Sequence, residues 1–412
     1  MEKTENKRKH LRQRLEERKH RRQGAMLTPA EIREHLDKYV IGQEQAKITL
    51  SVAVYEHLQA LAAREKEDLA PDSVRLPKNN ILLFGPTGCG KTHLLNQVAK
   101  VAGVPFLEVN APAYSPTGYK GTNISHILEE LLAKTHGDVR QAERAIIFFD
   151  ELDKKASKPG IQSFPDAAYC AEFQHDLLKM VEGATYEVGD ERLDTSGILF
   201  VMAGAFVGLD QVVRRRLERE QPAPVKRLGF AAPAMAAKVN ARVNAKVDAQ
   251  ADAQEGCQAK PAGAQAKAAD LLAQVTPEDF VEYGIITELT GRTPVLCRIL
   301  QLTTEELVRI MTDGRESILR AYEGLFNAMN VDLAFTPEAL REVAERARKR
   351  KMGARALNAI LEQLLAPFIS DYEDEDGLRR TLTITAAYVR GQGKAQVAIN
   401  ATQTVNDPEN GV

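Results

Sequence analysis

No run of this 412-residue sequence reaches the roughly 20 consecutive apolar positions that a membrane-spanning helix needs. The first residues also lack the apolar core of a secretory signal. These absences exclude an embedded or exported protein by the usual routes and set a cytoplasmic location as the expectation. Cysteine is scarce: Cys89, Cys170, Cys257 and Cys297 stand apart, with none of the close C-x-x-C pairs of zinc ribbons or redox centres. Reduced thiols and no zinc are expected. Net charge is small, 55 Lys and Arg against 57 Asp and Glu, so nothing global directs the chain toward nucleic acid. The exception is local. Lys3 to Arg22 is dense in Lys and Arg, either as a solvated extension or as a tail that touches nucleic acid or an acidic protein surface. Glu16, Glu17 and the lack of Ser there argue against an organelle transit peptide.

What is present implies more than one folded unit, because the chain is longer than one hydrophobic core usually organises. A first helix opens at Thr28-Pro29-Ala30-Glu31, where a capping Thr, a Pro at the first helical position and a Glu three after the cap coincide. Helical pattern continues through Ala63. Apolar runs at Ile81 to Phe84, Phe106 to Val109, Ala145 to Phe149 and Ile198 to Met202 read as buried strands separated by helix-length segments. That pattern predicts an α/β fold, a parallel sheet flanked by helices. From about 222 to 270 the composition collapses to Ala, Gln, Lys and Val, a mobile or partly helical insertion. Regular signals return at Thr276-Pro277. A capping box at Thr303 and Glu306 and a Thr336-Pro337 start announce a smaller, mainly helical C-terminal domain. Strand-like pieces at Leu382 to Thr385 and Gln396 to Ile399 close it. The expected division is a basic tail (1–27), a large domain (28–300), a small domain (301–400) and a flexible tail (401–412).

The chemistry is concentrated in two motifs. Gly85-Pro86-Thr87-Gly88-Cys89-Gly90-Lys91-Thr92 fits G-x-x-x-x-G-K-[ST] between a buried strand and a helix. Such a loop turns backbone N–H groups toward phosphate oxygens and the helix start adds positive potential. Lys91 then reaches the terminal phosphates, Thr92 ligates magnesium, and His93 and Leu94 continue the ATP-binding segment into the helix. The second motif is the strand Ala145 to Phe149 ending in Asp150 and Glu151. Asp150 is expected to hold magnesium through water and Glu151 to polarise the attacking water. Asp153 and Lys154 read as solvated turn residues.

Those two motifs occur in order with Tyr39-Val-Ile-Gly-Gln-Glu-Gln-Ala-Lys47, Gly291-Arg292 and Gly353-Ala-Arg355, and in that order the chain resembles AAA+ unfoldases, the ClpX family most closely. The resemblance spans about Leu27 to Ile399. It implies an ATP-hydrolysing large domain with a smaller helical lid, ATP and magnesium, and a homo-hexameric ring. It implies that Val40 and Ile41 pack against adenine, that Arg292 is an arginine finger offered to the neighbouring subunit, and that Arg355 is the sensor arginine of the same subunit. Gly118-Tyr119-Lys120-Gly121 resembles the aromatic pore loop that grips unfolded or tagged protein substrates, with Lys120 where the family usually has an apolar residue. Leu228-Gly229-Phe230 resembles the tripeptide that docks a ClpP-type peptidase. Three departures stand out: the family's four-cysteine zinc domain is missing, the stretch from Val181 to Leu199 is shorter than the family pattern and lacks a basic R-K-H loop, and the Ala-rich insertion interrupts the match without an assigned role. The resulting expectation is an ATP-dependent unfoldase feeding a peptidase. The alternative is a remodeller of nucleic-acid or protein assemblies that acts without proteolysis, its basic tail on phosphates.

Overall fold

A computed structural model of the chain describes residues 27–67, 78–116, 119, 122–157, 167–220, 271–313, 317–350, 352–370 and 379–399. The expected pore-loop neighbours Gly118, Lys120 and Gly121, the Leu228 to Phe230 tripeptide, the basic tail, the insertion and the last residues lie outside this set. The described chain divides into two compact units, one of 1–206 with 284–412 and one of 207–283.

The first unit begins with helix α1 (Pro29–Tyr39), which has the full capping box: Glu31 N–H bonds to the Thr28 hydroxyl and the Thr28 N–H to the Glu31 carboxylate. Helix α2 (Glu44–Glu67) follows, then strand β1 (Ile81–Phe84), buried throughout, and helix α3 (Lys91–Ala102). Next come β2 (Phe106–Asn110), the short strands β3 (Tyr114–Ser115) and β4 (Thr122–Asn123), helices α4 (His126–Lys134) and α5 (Val139–Ala142), and β5 (Ile146–Asp150). Helix α6 (Ala167–Glu182), the hairpin β6 (Thr185–Val188) and β7 (Glu191–Asp194), and β8 (Leu199–Gly204) complete this stretch.

Past the second unit the chain resumes at helix α9 (Thr287–Gly291) and β9 (Val295–Arg298). The main sheet has the order β2-β5-β8-β1-β9 and every pairing is parallel. β1 is thus flanked by β8 and β9, the last strands to be added, and the loop that follows it opens at the carboxyl edge where strand order reverses. Ligands bind α/β sheets at such switch points. Ile81, Leu83, Ile146, Phe148, Leu199 and Val201 form the sheet's share of a core completed by Leu50, Val54, Leu94 and Val98 from the helices.

A second core within the same unit is built by α10 (Thr304–Thr312), α11 (Ile318–Ala328), α12 (Pro337–Lys349) and α13 (Arg355–Ser370) over a sheet of β10 (Val331–Phe335), β11 (Arg380–Ile384) and β12 (Gln396–Ile399), with the turn of helix α14 (Ala386–Val389) between the last two. The Thr303 and Thr336 starts are both N-caps, the first a complete capping box with Glu306. The remaining unit contains α7 (Leu209–Glu220) and α8 (Pro277–Tyr283). Arg216 joins them by a fork onto buried Asp279, Nε to Oδ1 at 2.9 Å and Nη2 to Oδ2 at 3.1 Å. Among the described residues no helix is long and apolar enough to cross a membrane.

Candidate functional site

Phe84 of β1 pairs with Gly204 and Phe149 of β5 with Met202, so the loop Gly85–Gly90 and the acids Asp150 and Glu151 leave the same edge of the sheet with β8 between them. Lys91 is buried at the start of α3, its ammonium donating to the carbonyls of Gly85 at 2.8 Å and Pro86 at 3.0 Å. Burial pushes its pKa below the usual lysine value and Arg355 adds to that fall, while Asp150, Cys89 and Asp153 oppose it. Lys91, Asp150 and Arg355 thus lie close enough for their charges to act on one another.

Glycines shape the loop. Gly88 takes φ of +77°, and a Cβ there would stand 1.9 Å from the Met352 carbonyl oxygen. Gly353, with φ of +55°, leans back on Gly88, whose carbonyl accepts a 2.9 Å bond from Ala354 N–H. Two glycines thus let the turn before Arg355 close directly on the phosphate loop. Thr92 is half-buried and donates to Glu108 of β2 at 3.2 Å. Thr92 and Asp150 offer the hydroxyl and carboxylate oxygens that a hard cation such as magnesium prefers.

At the acid end, Asp150 Oδ1 accepts from the N–H of Glu151 at 2.9 Å. Glu151 is exposed with φ of +57°, a left-handed conformation that costs about 1 kcal/mol and gathers at functional sites. Asp153 departs from its sequence reading. It is 6% exposed rather than solvated, with Oδ1 beside Gly204 at the end of β8, because the turn Leu152–Lys155 folds back under the sheet edge. Lys154 is exposed as expected.

Val40 is buried and Ile41 half-buried at the end of α1, and the carbonyl of Tyr39 lies 3.1 Å from His93 Nε2, which brings this segment beside the first turn of α3. Arg292 follows α9 and pairs with Glu182 at the end of α6, Nη2 to Oε1 at 3.0 Å. Arg355 begins α13 and is exposed. Tyr119 is 45% exposed with its ring against Tyr169.

A model of the AAA domain (Cdc48 subfamily) matches residues 76–296, and one of the C-terminal, D2-small domain of ClpB protein matches residues 302–383. The ATP-dependent Clp protease ATP-binding subunit ClpX of Treponema denticola is 35% identical over 355 residues, 84% of this chain and 77% of that protein. The ClpX subunit of Azotobacter vinelandii is 34% identical over 395 residues, 90% of this chain and 83% of its own. The chain belongs to the ClpX family. It is therefore an AAA+ ATPase, and the parallel sheet with its helices is the ATPase core of that family.

Several bonds that hold this ClpX-family site together are announced by no motif, although Gln43 itself stands in the Tyr39–Lys47 run. Gln43 clamps the backbone of Leu300 from both sides, Nε2 to the carbonyl at 2.8 Å and Oε1 from the N–H at 2.9 Å. Asn80, buried ahead of β1, donates to the Arg292 carbonyl at 3.0 Å and accepts from the Phe200 N–H at 3.1 Å. Fully buried Gln174 bonds the carbonyls of Lys155 and Gly284 and the N–H of Ile286, tying the turn behind Glu151 to the helix that precedes Arg292. Polarity in the sequence gives no hint of these bonds, since each partner is remote along the chain.

Proposed function

We propose that this chain assembles into a hexameric ring that hydrolyses ATP to pull protein substrates through its centre and delivers them to a ClpP-type peptidase, in the cytoplasm. The observation that carries the reading is that the phosphate loop with Lys91 and the Asp150-Glu151 pair leave the same edge of the sheet, with the turn before Arg355 closed on Gly88. The relatives bear the name of Clp protease subunits, which favours this reading over a remodeller of nucleic-acid assemblies.

The residues divide the work. The loop N–H groups and Lys91 bind the phosphates, Lys91 exchanging its bonds to Gly85 and Pro86 for phosphate oxygens. Thr92 and Asp150 would hold magnesium, which when bound would neutralise phosphate charge. Glu151 takes the proton of the attacking water. Val40 and Ile41 line the base, and Arg355 senses the nucleotide from the same subunit. Arg292 serves the neighbouring subunit. Its pair with Glu182 joins side chains 58% and 41% exposed, which is worth at most about 1 kcal/mol. A guanidinium about 4 Å from phosphate at an effective dielectric near 20 gains roughly 4 kcal/mol. The finger therefore leaves Glu182 when a neighbour's nucleotide is within reach, and hydrolysis requires the ring.

Tyr119 offers a large, rigid contact that does not read sequence, suited to gripping any polypeptide. Lys120 and the docking tripeptide Leu228, Gly229 and Phe230 complete the assignment for substrate and peptidase. The test is unfolding of a tagged fluorescent protein: Tyr119→Ala loses it far more than it loses ATP turnover, and undiminished unfolding places the grip elsewhere. For docking, equal capture of the peptidase by the parent chain and by Phe230→Ala refutes the tripeptide's role.

A further inference from the structure

The turn Leu152–Lys155 behind Asp150 and Glu151 ends in a lysine that is 3% exposed. Its ammonium donates to the Tyr114 carbonyl at 2.6 Å, lies 3.4 Å from the Tyr169 hydroxyl, and sits 4.7 Å from the ring centroids of both Tyr169 and Phe173. No carboxylate pairs with Lys155 among the described residues. A buried cation without a counter-charge is costly, and here one carbonyl and two ring faces take the place of the missing acid. The Tyr169 hydroxyl is fixed in turn, 3.1 Å from Ser115 Oγ. The Tyr169 ring also meets Tyr119 edge to face, centroids 5.2 Å apart at 85°. A single ring thus contacts both the segment carrying the acids and the tyrosine assigned to substrate.

The backbone of Lys155 has a partner of its own. Its carbonyl accepts from Gln174, and Gln174 accepts from Ile286 just ahead of α9 and Arg292. Displacement of this turn therefore has two outlets, one toward the finger and one toward Tyr119. Close-packed rings between a fixed cation and a half-exposed side chain transmit a shift rather than absorb it.

We propose that Lys155 and Tyr169 are positioning residues that couple the turn behind the hydrolytic acids to Tyr119, so that a change at Asp150 and Glu151 re-aims the gripping ring. The proposal rests on the reading of Tyr119 as the substrate contact. A lysine that merely fills the local core would leave Tyr119 indifferent to what occupies position 169.

The chain contains no tryptophan, so Tyr119→Trp places a sole indole reporter at the loop of the full-length protein. Its emission shifts when ATP is added, and the shift disappears when Tyr169→Leu or Lys155→Met is combined with it. In the chain with Tyr119 intact, Tyr169→Leu slows unfolding of a tagged fluorescent protein about fivefold with ATP turnover held within about a factor of two, the scale set by one edge-to-face ring contact. Tyr169→Phe, which keeps the ring, restores unfolding. An ATP-induced emission shift that is the same in all backgrounds overturns the proposal, as does a Tyr169→Phe variant as slow as Tyr169→Leu. Should Tyr169→Leu not fold, Lys155→Met, which keeps the stem and loses the ammonium, decides in its place. The reporter needs no substrate, so it judges the coupling separately from the grip. Normal unfolding by Tyr119→Ala removes the grip and, with it, the consequence for substrate.

Discussion

Replacing Gly88 by alanine should uncouple the sensor turn from the phosphate loop. An alanine held at φ of +77° costs about 1 kcal/mol from its left-handed backbone alone. The added Cβ would also stand 1.9 Å from the Met352 carbonyl oxygen and 2.6 Å from its carbon, main-chain atoms that no rotamer can move aside. The turn Met352–Ala354 must retreat by about 1.5 Å to regain ordinary contact. That retreat breaks the 2.9 Å bond from Ala354 N–H to the Gly88 carbonyl, for about 1 kcal/mol more. The two terms sum to about 2 kcal/mol of stability, of which only the lost bond, a factor of about five, bears on the closed arrangement. Arg355 begins the next helix and withdraws with the turn. Gly103→Ala is the matched control: its φ is +67° and nothing lies within 4 Å of the new Cβ, so it carries the backbone term only. Melting curves with and without ATP separate the two. Gly88→Ala should lose about twice as much stability as Gly103→Ala and most of the ATP-induced rise in Tm, which Gly103→Ala keeps. Equal losses and equal ATP responses would refute the reasoning.

Other outcomes follow from the same geometry. Arg292→Ala should bind a fluorescent ATP analogue normally yet hydrolyse ATP about a thousandfold more slowly in a steady-state phosphate assay, since a finger in trans acts on the transition state. Glu151→Gln should retain ATP in a filter-binding assay and release almost no phosphate; normal release removes it from the catalytic set. His57 gives a pH prediction. Burial, joined by the nearby charges of Lys78, Arg64 and Arg144 and opposed by a backbone bond to Arg144, lowers its pKa from 6.5 to about 4. Unfolded chains then take up a proton below 6.5 that the folded protein refuses until about 4, so stability falls as pH drops across that window and levels off beneath it. His57→Leu should flatten that part of the profile in urea titrations at stepped pH.

The glycine loop was legible because its pattern is local: its place between a buried strand and a helix is written in consecutive residues. The Thr28, Thr303 and Thr336 helix starts were legible for the same reason, each cap being satisfied within three residues. Strand β1 coincides with its apolar run Ile81 to Phe84, buried on both faces of a parallel sheet. What escaped notice depends on distant partners. β9 is a short run after Pro294 that becomes a strand only beside β1, and the hairpin of β6 and β7 has only Tyr186, Val188 and Leu193 among polar neighbours, too short a pattern to stand out. Asn80 is an unremarkable polar residue until its partner 212 residues away is known. Asp153 was read as solvated because acids after a strand usually are, and its burial follows from the fold-back of a single turn. Lys155 and Tyr169 are joined only by tertiary packing, which no spacing along the chain reveals.

The central claim is that ATP cleavage in this chain drives protein into a peptidase. The most direct measurement combines the purified chain, a ClpP-type peptidase, ATP and an unstructured fluorescent protein, and follows release of labelled peptides. Release that needs all four components and vanishes with Glu151→Gln is the predicted result. Brisk ATP hydrolysis with peptide release no faster than by the peptidase alone would contradict it.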